Sequence, residues 1–163
     1  MHVTSICFNK GEDMTRREKA MSAFKEGYNC AQSLLIAYED ILTIDIETAK
    51  KISSPFGGGM GRLREVCGAV SGMFMVFGFI KGYSEADNFD GKKELYEHIQ
   101  ELGHRFEKEN GSLICRELLG LEVKHDNPTP EKRTESYYKK RSCEECVGSA
   151  AEILEAYLEE LSV

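Results

Sequence analysis

Apolar positions recur three and four residues apart along most of the chain, the period of a helix rather than a strand. Thr15 to Glu26 is amphipathic, with Ala20, Met21 and Phe24 on one side, and it stops at Gly27. A second helix starts at once. Asn29 can serve as its N-cap, with Gln32 three residues on, and Leu34, Leu35 and Tyr38 follow. Asp45 caps a third, short helix ending near Ser54-Pro55, and a glycine-rich loop, Gly57-Gly58-Gly59-Met60-Gly61, comes next. Residues 67–81, CGAVSGMFMVFGFIK, are apolar nearly all round the helix, so this segment is expected at the buried centre. Ser71 and the glycines 68 and 72 weaken it, by roughly 1 kcal/mol for each glycine relative to alanine. Such a cost suggests that something there needs close backbone approach.

A long helix follows from about Gly91 to Lys108, with Leu95, Ile99, Leu102 and Phe106 on one face, and Asn110-Gly111 terminates it. Ser112 caps a short helix through Leu119 that ends at Gly120, and residues 121–129 read as a polar loop. Thr129-Pro130 reads as an N-cap followed by proline at the first helical position. The last helix begins at Ser142 and runs to about Glu160, buried along Val147, Ala151, Leu154, Leu158 and Leu161. Ile41 to Ile46 alternates briefly but is short enough to be a loop. The expected fold is all-α: a single-domain helical bundle of about six to seven helices around a buried central helix near 67–81. Residues 1–13, with Cys7, read as a flexible N-terminal extension, and 14–163 as the domain.

Composition narrows the function. The chain has 163 residues, enough to bury one core without staples. Its formal charge is -7, and the basic clusters Arg16-Arg17 and Lys139-Lys140-Arg141 are short and flanked by acids. They read as solvated helix faces, so nucleic acid is set aside as a partner. The first residues lack both the basic and the apolar part of a secretory signal. The longest apolar run, Met73 to Ile80, is too short to cross a bilayer, so no membrane insertion is expected. The expected location is the cytoplasm, where thiols are kept reduced. There, six cysteines fit metal or redox chemistry better than a disulfide framework.

Four of those cysteines share a position. Cys30 follows the Asn29 cap, Cys67 opens the apolar helix, and Cys115 lies three residues after Ser112. Cys143 follows Ser142, in a Ser-x-x-Glu capping box with Glu145. A helix N-terminus offers unpaired N–H groups and about half a positive charge, which favour a thiolate over a thiol. Thiolate is the form that ligates metal and attacks disulfides. Cys143 and Cys146 form a C-x-x-C pair within reach of each other on one helix. The two close pairs of a zinc ribbon or finger are missing.

The stretch Gly61-Arg62-Leu63-Arg64-Glu65-Val66-Cys67-Gly68-Ala69-Val70-Ser71-Gly72 resembles the C_GCAxxG_C_C family, known for four cysteines and a C-G-A-x-x-G motif. Gly27-Tyr28-Asn29-Cys30-Ala31-Gln32 looks like its first motif, Cys115-Arg116-Glu117-Leu118-Leu119-Gly120 like its third, and Cys143 to Leu154 like its fourth. The resemblance runs from about Met14 onward. Cys146 stands where the family is usually apolar, so it looks like an accessory thiol, able to substitute for Cys143. The family is similar to part of the split-Soret type of multihaem cytochrome, which implies an iron–sulfur or other iron centre as one occupant. With no C-x-x-C-H, no covalent haem is expected.

Three functions compete. In the first, a redox-active electron carrier, Cys30, Cys67, Cys115 and Cys143 hold an iron–sulfur cluster, the 2Fe–2S type favoured, for electron transfer. In the second, a thiol–disulfide oxidoreductase, Cys67 is the reactive thiol and Cys30 or Cys115 resolves it. Gly68 and Gly72 would let a cluster or partner approach the backbone. The third is a non-catalytic module with structural zinc or merely buried thiols. A redox partner protein is expected but not identified by the residues, and the apolar helices allow a monomer or a homodimer. Glu101-x-x-His104 is a lone motif, where a di-iron bundle needs two. It reads as a solvated face, and His98 and His125 have no evident partner. The Gly57–Gly61 loop lacks the Lys-Ser/Thr end of a P-loop and is expected to turn the chain beneath Cys67.

Overall fold

A computed structural model describes residues 14–162, so Cys7 and the rest of the expected extension lie outside the described residues. The described residues run through eight helices: α1 (Arg16–Lys25), α2 (Cys30–Ala37), α3 (Ile46–Ser53), α4 (Gly68–Lys81), α5 (Phe89–Asn110), α6 (Cys115–Leu118), α7 (Glu135–Lys140) and α8 (Cys143–Glu160). The all-α expectation holds. The count is one or two above the expected six to seven. No strand forms among the described residues; Val66 and Ile114 make one isolated antiparallel bridge.

The helix starts are set by local chemistry. Thr15 and Glu18 close a reciprocal capping box on α1, Asn29 and Gln32 do the same on α2, and the Asp45 carboxylate accepts from the Thr48 N–H on α3. Three other caps differ from expectation. Ile114 rather than Ser112 precedes α6, because the Ser112 hydroxyl donates to Glu117 while accepting from the Ile114 N–H. Ser142 does stand at the N-cap of α8, but its hydroxyl donates to the Leu118 carbonyl, and Glu145 pairs with Arg17 instead of closing a box. No helix follows Thr129-Pro130. The chain turns helical only at Glu135, where the Thr134 hydroxyl accepts from the Tyr137 N–H.

Helix α8 packs on α1, α2, α4 and α5, and α2 packs along α4. Leu34, Leu35, Val70, Met73, Val76, Phe77, Leu102, Phe106, Val147 and Leu154 meet in the fully buried core. Each large apolar side chain there contributes roughly 1.5–3 kcal/mol by leaving water. Tyr38 is buried with them, its hydroxyl donating to the Ala151 carbonyl at 2.7 Å. Helix α4 is central only over its first half. Gly68 to Met73 are buried, but Phe74, Met75, Phe79 and Ile80 are only half-buried, because α5 covers one side of its far end. The glycines of α4 explain the α2–α4 approach. A Cβ at Gly72 would lie 2.8 Å from Leu34 Cβ, and one at Gly68 3.0 Å from Cys30 Cβ. The close approach inferred from Gly68 and Gly72 is therefore to helix α2.

Candidate functional site

The N-terminal ends of α2, α4, α6 and α8 converge on one cavity of about 280 Å³. Cys30, Cys67, Cys115, Cys143 and Cys146 all line it, and all five are free thiols. Cys30, Cys115 and Cys143 are the first residues of their helices and Cys67 is an N-cap, as the sequence implies. Cys146 sits one turn into α8 and faces the same space. Gly68 lines the cavity too, whereas Gly72 is sealed against α2.

A left-handed turn forms the opposite wall. Gly57 to Gly61 closes a backbone hydrogen bond of 2.8 Å, yet φ is about +65° at Gly58 and Gly59, and Met60, Gly61 and Arg62 continue with positive φ. It turns beneath Cys115 rather than Cys67: a Cβ on Gly59 would lie 2.5 Å from Cys115 Cβ. Only glycine fits there, for conformation and for space. Arg64 also adopts positive φ, which costs roughly 1–2 kcal/mol for a residue with a Cβ. Its guanidinium is buried and donates to the Asp126 carboxylate at 2.9 Å and to Cys115 Sγ at 3.6 Å. Arg62 donates to the same carboxylate oxygen at 2.8 Å. The Cys67 and Cys115 segments are tied together, Cys67 N–H to Leu113 O at 2.8 Å and Cys115 N–H to Glu65 O at 2.6 Å.

The sulfurs fall into two pairs and a single. The neighbouring Cys143 together with burial pushes the Cys30 thiol well up, while Cys30 beside it brings Cys143 down to about 7. Arg141, Arg133 and Arg64 add to the Cys143 shift against the opposing effect of burial. In the same way Cys67 is raised beside Cys146, and Cys146 is lowered. Cys115 is raised, because burial outweighs the help of Arg64. Each pair thus sets a sulfur whose ionisation is eased beside one whose ionisation is resisted.

Donor geometry tests the metal expectations. Among the described residues no three His, Cys, Asp or Glu side chains gather so as to hold one metal ion. A structural zinc needs four donors around a single point, and this arrangement does not provide them. A 2Fe–2S cluster takes two thiolates on each iron, and two sulfur pairs around one cavity match that donor count.

Several site residues escaped the sequence reading. Arg133 donates to the Phe24 and Tyr28 carbonyls at 3.1 and 3.2 Å and lies over the Phe24 and Tyr137 rings. Burial pushes the Tyr137 hydroxyl up to about 12. Arg141 belongs to a run read as a solvated face. Lys139 and Lys140 are indeed exposed, but Arg141 pairs with Glu131 and lines the cavity. Outside the site, His98 does have a partner, the Tyr157 hydroxyl at 2.7 Å, while His104 and His125 are exposed and Glu101 pairs with Arg105. No described helix is long and apolar enough to cross a membrane.

A family model described as "Putative redox-active protein (C_GCAxxG_C_C)" matches residues 28–157, a span that contains all five of these cysteines. No curated protein and no solved structure matches the chain.

Proposed function

The chain belongs to the C_GCAxxG_C_C family, and on that premise we propose that it is a thiol–disulfide oxidoreductase working through Cys143 and Cys30. The observation that carries this reading is the convergence of five free thiols on one cavity at helix N-termini, with Cys143 eased toward ionisation beside Cys30. Cys143 is the attacking sulfur, a role the sequence suggested for Cys67. It begins α8, lies beside Cys30 and faces guanidinium charge, conditions that ease ionisation of a sulfur. Cys67 is the sulfur of its own pair whose ionisation is resisted.

The chemistry balances without a further reagent in the cavity. The Cys143 thiolate attacks one sulfur of a substrate disulfide; a mixed disulfide forms and the other substrate sulfur leaves as thiolate. Cys30 gives up its proton to that leaving group and attacks Cys143 Sγ. A Cys30–Cys143 disulfide forms and the second substrate sulfur departs as thiolate, to be protonated by solvent. The substrate gains the two electrons that the two cysteines lose. A dithiol reductant of the redox partner class then restores the pair by the reverse exchange.

The test is a redox titration of anaerobically purified protein, with alkylation and peptide mapping at each potential. The expected result is a two-electron transition that yields a Cys30–Cys143 linkage and is lost in Cys143→Ser. A linkage formed elsewhere, with Cys143 still alkylatable, overturns the proposal. The two-and-two sulfur arrangement also favours a second reading, in which Cys30 and Cys143 hold one iron of a 2Fe–2S cluster and Cys67 and Cys146 the other. Such a cluster supplies one-electron transfer when bound. Stoichiometric iron and sulfide with visible absorption, lost on mutating either pair, would select it.

A further inference from the structure

The sign of charge around the thiols runs against that of the chain. The chain carries a formal charge of -7, yet Arg62, Arg64, Arg133 and Arg141 all line the cavity, with Glu131 as the one lining carboxylate. Their pairing leaves charge over. Arg62 and Arg64 share the single Asp126 carboxylate, and Arg141 is matched by Glu131. Arg133 has no carboxylate partner among the described residues, since its bonds go to two backbone carbonyls and its plane to two rings. Two guanidinium charges are therefore not offset by carboxylates. Helix ends add to this, because α2 and α8 point their positive termini inward.

Size restricts what can enter. A cavity of about 280 Å³ lies at the small end of the range for ligand pockets, roughly 300–1,000 Å³. It suits one small molecule and does not enclose a folded partner. Pro128 and Pro130 line it as well.

Resting on the dithiol reading, we infer that the cavity takes a low-molecular-weight disulfide bearing carboxylates near its sulfurs, with the uncompensated Arg133 and, by exchange of its exposed Glu131 partner, Arg141 receiving the carboxylates while the S–S bond meets Cys143. Guanidinium groups suit this role because their fork geometry matches a carboxylate. The exchange is the one written above, with one anionic disulfide consumed and two anionic thiols released. The negative charge of the rest of the surface is no obstacle, because the cavity field dominates at contact distance while remote charges are screened beyond about 10 Å.

The test is a charge series on the reduced full-length protein. Oxidation by 3,3′-dithiodipropionate, bis(2-hydroxyethyl) disulfide and cystamine is timed at low salt. Each rate is divided by that of dithiothreitol with the same disulfide, which removes intrinsic reactivity. The normalised dicarboxylate rate is expected to exceed the neutral one by about tenfold and the cationic one by more, with the preference shrinking in 1 M salt. Arg133→Gln and Arg141→Gln should each lower the dicarboxylate-to-neutral ratio severalfold, and this ratio cancels any change in Cys143 ionisation. Arg133 also anchors the Phe24 and Tyr28 carbonyls, so Arg141→Gln and the salt series stand by themselves if the other variant fails to fold. Equal normalised rates, or a preference unmoved by Arg141→Gln and salt, overturn the inference and leave the dithiol reading intact. Inertness toward all three disulfides overturns both.

Discussion

Helix α8 joins two ends of the molecule that treat polar groups in opposite ways. At its far end, Arg105 grips Glu160 through two bonds of 2.7 and 2.8 Å, reaches Glu101 at 2.7 Å and lies over the Tyr157 ring. Tyr157 in turn meets His98, which packs on Phe77. Each charge has its counterpart and each ring a neighbour. At the thiol end, guanidinium groups outnumber carboxylates, backbone sits in left-handed conformations and open space separates the walls. One end is spent on holding helices together. The other keeps unspent charge and strain, the pattern expected where chemistry is done.

Four experiments can break or sharpen that contrast. The largest effect is expected from Gly59→Ala, whose new Cβ would press on Cys115 in a backbone conformation that disfavours it. A loss of about 2–4 kcal/mol in urea unfolding follows from the combined crowding and strain; a loss below 1 kcal/mol would mean the turn can yield. Cys30→Ala comes next. Removing the thiol beside Cys143 and its donor capacity should move Cys143 from about 7 toward the ordinary 8.5, slowing exchange at pH 7 by roughly tenfold. It should also trap the mixed disulfide, visible as an added mass. An unchanged rate would place the attacking sulfur elsewhere.

The pH profile of the unaltered protein has a fixed direction. Thiolate attacks, so the rate should be low at pH 5, rise through about 7 and level off above pH 8. A profile still climbing at pH 9 would show an unassisted thiol. The smallest effect belongs to the far end. Tyr157→Phe removes the bond to His98 and should cost about 1 kcal/mol of stability while leaving the exchange rate within twofold. A large loss of exchange there would couple the two ends.

Much of this was legible before any coordinates, and the boundary has physical reasons. Helices whose side chains repeat every three to four residues could be read directly, as could caps whose hydroxyl or carboxylate serves its own helix, such as Thr15, Asn29 and Asp45. Ser112 and Ser142 failed as caps because their hydroxyls are recruited by neighbouring groups that the local pattern does not contain. The gathering of cysteines at helix starts was legible because a helix start is local. Their pairing was not, since it depends on which helix ends face each other. Arg141 hid among lysines, Asp126 lay in what read as a polar loop, and Arg133 lay where a helix was expected after Pro130. Their roles come from long-range contacts that leave no periodic trace.

Both sulfur pairs link α8 to a helix made much earlier, and this bears on how the site comes into being. Cys143 is synthesised roughly 110 residues after Cys30, a delay of about 5–20 s at ordinary translation rates. Through that interval Cys30 and Cys67 leave the ribosome without the thiols that complete them. In each pair the sulfur whose ionisation is eased, Cys143 or Cys146, is the one made later. Reactivity switches on when α8 docks. The nascent chain is thereby spared premature cross-linking, and oxidative competence becomes the last property this protein acquires.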